Sequence, residues 1–342
     1  MTRPNLFQYA TSELSQDAML CWLLAWSPSM YAQVEPELHA LATKFIDLAF
    51  SKHGLPLPGV ISTIEVRRQV SNVDILATIN GTFELLIEDK AGTQEHSDQL
   101  VRYLANWQQQ KRPGQCVVPV YVQTGEQSNF QNVLNAGFQP ITRTELLSLM
   151  DEVISDANGN AILADFYAYL KDLEHQFQAF QTIPLNQSWP ERAWRGFFSA
   201  LQQHLGQGDW GHVPTASKGF AGFWWNWLGP VGAAEPYLQL EYGRLCFKLS
   251  AFTASDTRKI ELARTWQRKL TKVSEKGEIS ITKPRRYKEG KTMTAAISAV
   301  DYRVADTTGL IDMVATVAVL KQAEVLLRQA ARIMNEQPKA AF

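Results

Sequence analysis

Val73-Asp74-Ile75-Leu76-Ala77-Thr78-Ile79-Asn80-Gly81-Thr82-Phe83-Glu84-Leu85-Leu86-Ile87-Glu88-Asp89-Lys90 reads as two strands joined by a tight turn. Asn-Gly is a strong hairpin signal, because both residues tolerate the positive φ that such turns need. Odd positions carry the apolar residues of each run: Val73, Ile75, Ala77 and Ile79, then Phe83, Leu85 and Ile87. A strict two-residue loop would pair Ile79 with Thr82 and send the two apolar sets to opposite faces. One extra residue in the connection, a bulged three-residue loop, pairs Ile79 with Phe83 and gathers both sets on one face, as burial requires. That register sets Asp74 opposite Glu88, and Lys90, two residues further on, points the same way. Alternation alone therefore brings two carboxylates and an ammonium together. The plain alternative for such a trio is a solvated salt-bridge face on an exposed hairpin.

Outward from the hairpin, residues 60–70 are expected as a strand before it. Residues 12–26 read as a helix capped by Ser12, with Leu14, Ala18, Cys21 and Leu24 at helical spacing. A second helix is expected over 35–51, and the Gly- and Pro-rich stretch 53–59 is a loop. After the hairpin come a helix over 94–110, a strand of buried composition over 115–123, and helical segments over 129–135 and 144–155. The expected order is helix, three strands, helix, strand, helix. In the second half, strands are expected at 222–228, 237–242, 244–251, 278–282 and 292–300. Helices are expected at 255–273 and 308–335.

The chain has 342 residues, enough for two domains, with a break expected between residues 180 and 190. Its 33 basic and 34 acidic residues leave a net charge of −1, so any nucleic-acid surface must be a local patch. The three cysteines, Cys21, Cys116 and Cys246, are scattered and form no C-x-x-C pair. That argues against a disulfide framework and a structural zinc site, and suits a reducing, cytoplasmic setting. No membrane span is expected, and the first residues lack the apolar run of a signal peptide.

The trio suits a hard cation. Mg²⁺ takes one or two carboxylates, keeps water, and shares its remaining positions with phosphate. A cation so held stabilises charge on a phosphodiester and acidifies a bound water, and a neighbouring lysine orients that water.

Asp74, thirteen intervening residues, then Glu88-Asp89-Lys90 resembles the D…(D/E)-x-K signature of the PD-(D/E)XK nuclease superfamily. The residue before Asp74 is Val73 where the name implies proline. The order of elements around it also looks like that superfamily's αβββαβ core, and Glu13-Leu14-Ser15-Gln16-Asp17-Ala18 looks like the leading helix of its uncharacterised bacterial and phage-associated members. Gln99 and Tyr103 resemble the Q-x-x-x-Y element of one branch, and four-residue spacing puts them on one helix face. The resemblance covers roughly residues 5–150. It implies a restriction-endonuclease-like α/β fold with a mixed sheet over residues 1–180, followed by an α+β accessory domain over 190–342. It implies Asp74 and Glu88 as metal ligands, with the backbone carbonyl of Asp89 and with Glu13 assisting. It makes Lys90 the catalytic lysine, and Gln99 and Tyr103 would orient it or the substrate. The implied cofactor is Mg²⁺, with Mn²⁺ able to substitute.

A second Glu-x-Lys, Glu289-Gly290-Lys291, lies in a basic loop without strand pattern and reads as a decoy. From Arg258 to Lys291 twelve residues are basic and four acidic. Arg258, Arg264, Arg268, Lys269 and Lys272 would lie on one helix, and Lys283, Arg285, Arg286 and Lys288 in the loop after it. With His96 near the site, these are the candidate nucleic-acid contacts, against the plain reading of a solvated amphipathic face. Of the tryptophans in the second half, most are expected in the core, with Trp224 and Trp227 as candidates for base stacking. The expected activity is metal-dependent cleavage of nucleic acid, DNA favoured, with restriction or anti-phage defence as the setting by analogy. The alternative is a non-catalytic nucleic-acid-binding or scaffold protein on the same fold.

Overall fold

The computed structural model describes residues 4–70, 72–92, 98–110, 114–154, 159–215, 219–252, 255–287 and 290–336. His96, Lys288 and Glu289 fall outside them. The chain is α/β and divides into two compact units, Met1–His175 and Gln176–Phe342. The division falls near the end of a helix. The segment expected as a linker, 180–190, instead supplies Phe180 and Trp189 to the core of the second unit.

The first unit is built on a mixed five-stranded sheet in the order β1-β2-β3-β4-β5. Its strands are β1 (Ile64–Val70), β2 (Val73–Ile79), β3 (Phe83–Lys90), β4 (Cys116–Gln123) and β5 (Gln139–Thr142). The first three run antiparallel, and β3, β4 and β5 run parallel. Ile79 pairs with Phe83, so the three-residue connection expected from burial is the one observed. Asn80 and Gly81 take φ of 50° and 68°. The strand expected from residue 60 begins only at Ile64. Asn80 is the cause: its Oδ1 accepts from the amides of Ser62 and Thr63, and its Nδ2 donates to the Val60 carbonyl. A side chain thus takes the place of ladder bonds there.

Both faces of this sheet are covered. Ile75, Ala77, Ile79, Leu85, Ile87, Val118, Val120, Val122 and Ile141 pack against α1 (Glu13–Leu24), α2 (Pro36–Lys52), α5 (Arg143–Val153) and α6 (Ala161–Gln178). On the other face Leu76 and Leu86 pack with Trp107, and Tyr121 with Leu100, both from α3 (Gln99–Gln110). A short α4 (Gln131–Asn135) precedes β5. The even-numbered face of the hairpin is therefore roofed by a helix. The buried stripe of α1 is Gln16, Asp17, Met19, Leu20, Leu23 and Leu24, whereas Leu14 is 57% exposed. Of the stripe expected through Leu14, Ala18, Cys21 and Leu24, Leu24 is buried and Cys21 half-buried against the core, whereas Leu14 and Ala18 are exposed and the polar Gln16 and Asp17 are buried in their place.

The second unit holds a six-stranded antiparallel sheet in the order β10-β11-β9-β8-β7-β6. It comprises β6 (Asp209–Val213), β7 (Phe220–Trp225), β8 (Ala234–Glu241), β9 (Arg244–Ala251), β10 (Ile281–Thr282) and β11 (Thr292–Ser298). Residues of α7 (Glu191–Leu205), α8 (Asp256–Ser274) and α9 (Met313–Asn335) close one core over it. The last helix starts later than residue 308 because Asp312 caps it, its Oδ1 accepting from the Ala315 amide at 2.9 Å. Trp189, Trp194, Trp210, Trp225 and Trp266 are buried in that core, as expected of most of the group. Trp227 is 45% exposed and stacks on Tyr237 with ring centroids 3.8 Å apart.

Candidate functional site

The C-terminal end of β3 carries Glu88, Asp89 and Lys90 side by side. Glu88 is only 1% exposed, because α3 roofs its face of the sheet. Its Oε1 accepts from Lys90 Nζ at 2.7 Å and from Gln99 Nε2 at 2.9 Å. Gln99 Nε2 also donates to the Tyr103 hydroxyl at 3.0 Å, so the first two turns of α3 clasp the carboxylate. Glu88 Oε2 is buried and has no hydrogen-bond partner among the described residues.

Lys90 is the centre of the cluster. Its Nζ lies 2.7 Å from Glu88 Oε1, 3.0 Å from the Asp89 carbonyl oxygen, 3.7 Å from Asp74 Oδ2 and 4.0 Å from Glu13 Oε2. Glu13 stands in the first turn of α1 with its side chain 38% exposed. Asp74 lies on β2, across from Glu88, and its Oδ2 accepts the Asp89 amide at 3.0 Å. The sequence-derived residues Glu13, Asp74, Glu88, Asp89, Lys90, Gln99 and Tyr103 are thus drawn into one cluster. The basic candidates form a separate group: Arg258, Arg264, Arg268, Lys272, Lys283, Arg285 and Arg286 are exposed, and Lys269 is half-buried. They belong to α8 and the residues after it in the second unit. On the inner side of α8, Leu262, Ala263, Trp266 and Leu270 enter the core.

Electrostatics follow from burial. Desolvation pushes the Glu88 carboxyl up to about 7, and the neighbouring Asp74 carboxyl adds to it, outweighing the pull of Lys90. Burial works against the Lys90 ammonium, yet Glu88, Asp74 and Glu13 outweigh it and hold the lysine above its ordinary value. Asp89 faces the opposite way from Glu88, fully buried, where Gln16 Nε2 donates to its Oδ1 at 2.5 Å. Thr124 at the end of β4 donates to Gln16 Oε1 in turn, joining α1, β3 and β4. Burial raises the Asp89 carboxyl well above the usual carboxylate range. Its side chain therefore has a place in the fold between helix and sheet, apart from whatever its carbonyl does.

Two residues of the site were not read from the sequence as members of it. Asp17, which the sequence places on the leading helix with no role assigned, is 1% exposed beside Asp74. The signal was its spacing of four from Glu13. Gln69 reaches both carboxylates from a left-handed backbone with φ of 54°. Nothing in the sequence pattern marks that conformation.

Among the described residues no group of three or more His, Cys, Asp or Glu side chains is arranged to hold a metal ion. The donor set around Lys90 Nζ is all oxygen: two carboxylates, a backbone carbonyl and the more distant Glu13. With the unpartnered Glu88 Oε2, that set fits a hard cation whose shell is completed by water. The Lys90 ammonium and such a cation would draw on the same oxygens. No helix among the described residues is long and apolar enough to cross a membrane. No family model, curated protein or solved structure matches the chain.

Proposed function

We propose that the first unit is a restriction-endonuclease-like, PD-(D/E)XK-type phosphodiesterase that cleaves nucleic acid, DNA by preference. One observation carries the reading: Lys90 Nζ sits within 4.0 Å of Glu88, Asp74 and Glu13 oxygens at the end of a mixed sheet. Asp74, Glu88 and the Asp89 carbonyl are the residues that would hold Mg²⁺ or Mn²⁺, with Glu13 at the rim. A bound divalent cation supplies Lewis acidity toward a phosphodiester and acidifies a water in its shell. Lys90, released from its carboxylate partners, offers a positive charge to that water or to the phosphate. Gln99 holds Glu88 in one rotamer, and Tyr103 holds Gln99. The exposed arginines and lysines of α8 and its following residues supply backbone contacts to the substrate. Three free cysteines favour a reducing, cytoplasmic setting, and a part in restriction or anti-phage defence is a proposal by analogy.

The test is cleavage of supercoiled plasmid and of single-stranded DNA with Mg²⁺ or Mn²⁺, with EDTA and Glu88→Ala as controls. Metal-dependent nicking or degradation that disappears in Glu88→Ala, a fall of at least about 10²-fold, is the expected result. Salt-sensitive DNA binding without metal-dependent cleavage would turn the reading toward a non-catalytic nucleic-acid-binding protein.

A further inference from the structure

Trp225 and Trp227 are two residues apart, yet they end on opposite faces of the sheet in the second unit. Trp225 is 1% exposed in the core, where its indole donates to Glu324 of α9 at 2.9 Å. Strand alternation would send Trp227 the same way. Asn226 prevents it: its φ is 54°, and Arg328 of α9 donates to its Oδ1 at 3.1 Å. The chain turns over at that residue, and Trp227 lands on Tyr237. Tyr237 precedes the core residue Leu238 on β8 and so points away from the core. The two rings lie 9° from parallel with centroids 3.8 Å apart. Tyr237 is 3% exposed, and its hydroxyl donates to Gln239 at 3.3 Å. Trp227 is 45% exposed and belongs to no buried cluster. One flat side of its indole is thus fixed by a buried tyrosine, and the other is offered to solvent. Its surroundings are cationic. Phe252, 56% exposed, donates its amide to the carbonyl of Ala233, in the loop that carries Trp227. The Ala251 amide donates to the carbonyl of Lys291, whose side chain is exposed. Arg258 stands exposed in the first turn of α8, soon after Phe252. The loop after β10, with exposed Lys283, Arg285 and Arg286, returns to Thr292 at this same end of the sheet. Against these stands the half-buried Glu235.

We infer that Trp227, backed by Tyr237, is a stacking platform for an unpaired nucleobase, with Lys291 and Arg258 meeting the phosphates beside it. The second unit thereby selects single-stranded segments of nucleic acid. This rests on the reading of the chain as acting on nucleic acid, and it gives that substrate a strandedness. Every base has a π-face, so an aromatic platform among cations holds a single strand without regard to sequence. Inside a duplex both faces of a base are covered by its neighbours, and reaching Trp227 would require unstacking it. A single strand, a flap or a frayed end presents such a face at no such cost. The buried tyrosine contributes rigidity: the indole is already flat and in place before a base arrives, so little freedom is lost on binding.

The experiment measures binding of labelled oligothymidine, and of a duplex of the same length, to the full chain by fluorescence anisotropy in EDTA, so that no cleavage intervenes. Melting curves accompany each variant, and the exposure of Trp227 leads us to expect them unchanged. Trp227→Ala should weaken single-strand binding by about fivefold or more and duplex binding far less. Trp227→Phe keeps a ring and should retain most of the affinity. A stacked base quenches indole emission, so saturating unlabelled oligothymidine should dim the wild type more than Trp227→Phe. Arg258→Ala with Lys291→Ala should lower the single-strand salt slope by about 0.7 for each phosphate no longer neutralised. Single-strand affinity unchanged in Trp227→Ala, or an equal loss on both strand forms, overturns the inference and leaves the nuclease reading standing. The exposed stack would then be a surface for a protein segment. A wild type that binds neither form overturns both.

Discussion

Glu88 shows how one residue sets the behaviour of the site. Burial holds its carboxyl at about 7, against 4.5 for an ordinary glutamate, and Asp17 is held at about 6 against 3.8. For a carboxyl whose folded pKa lies above its unfolded one, the contribution to stability is fully present below the unfolded value. It is lost as pH rises through the folded value, because the unfolded chain ionises first. The metal-free protein is therefore expected to lose stability as pH rises from about 3.8, where Asp17 begins to ionise in the unfolded chain, to about 7, by a few kcal/mol in all. Melting curves in EDTA across that window check it, and Glu88→Gln should flatten the slope. A wild-type melting temperature that climbs from pH 5 to 7 would contradict the assigned burial. At this scale Asp74, Glu88 and Lys90 were legible because strict alternation fixes which way a strand residue points. Asp17 was not. Residues 14–24 are apolar nearly all round the helix, so the pattern does not fix its roll, and only packing decides that Gln16 and Asp17 face the sheet.

Among the elements, the junction after β3 controls where Lys90 stands. The Thr124 amide donates to the Lys90 carbonyl at 3.1 Å, continuing the parallel pairing past the end of β4. The next residue, Gly125, passes so close that an added Cβ would lie 2.4 Å from the Ala91 carbonyl oxygen. Backbone meets backbone there, so nothing flexible yields. Gly125→Ala is expected to destabilise the fold by roughly 1–3 kcal/mol and to displace the strand end that carries Lys90. Its urea midpoint should fall and cleavage should fall with it. Gly92→Ala, where a Cβ meets nothing within 4 Å, should leave the midpoint unchanged. The strands flanking the Asn80-Gly81 turn were readable nearly to the residue, since burial admits a single register there. β5, α6, α7 and β6 are not among the elements expected from the sequence. Two of these are strands of four and five residues, too short for a period to declare itself. The α7 helix buries Ala193, Trp194, Phe197, Phe198 and Leu201 on one face, but its aromatic residues favour strands as much as helices and mask that spacing in the sequence.

Across the whole molecule, a net charge of −1 conceals a concentration of arginine and lysine on α8 and the residues after it. Arg264 and Arg268 are both exposed, with Tyr287 beneath the Arg264 guanidinium at 5.9 Å. Reversing both, Arg264→Glu with Arg268→Glu, is expected to weaken DNA binding at low salt by tenfold or more. It should reduce the slope of log affinity against log salt by about 0.9 for each phosphate the protein no longer neutralises. Fluorescence anisotropy with a labelled duplex measures both quantities, and Mn²⁺ binding should stay as in the wild type. Unchanged affinity and slope would move the substrate surface elsewhere. The apportioning of the tryptophans between the units has an optical consequence. Trp22, Trp26 and Trp107 belong to the first unit and the other seven of the ten to the second. Ultraviolet emission from the intact protein is therefore dominated by the unit without the carboxylate cluster. Trp107, whose indole donates to Glu84 from the helix that also carries Gln99, is the chromophore nearest in sequence to the chemistry. Stripped of the other nine, its glow would tell whether that helix still lies on the sheet.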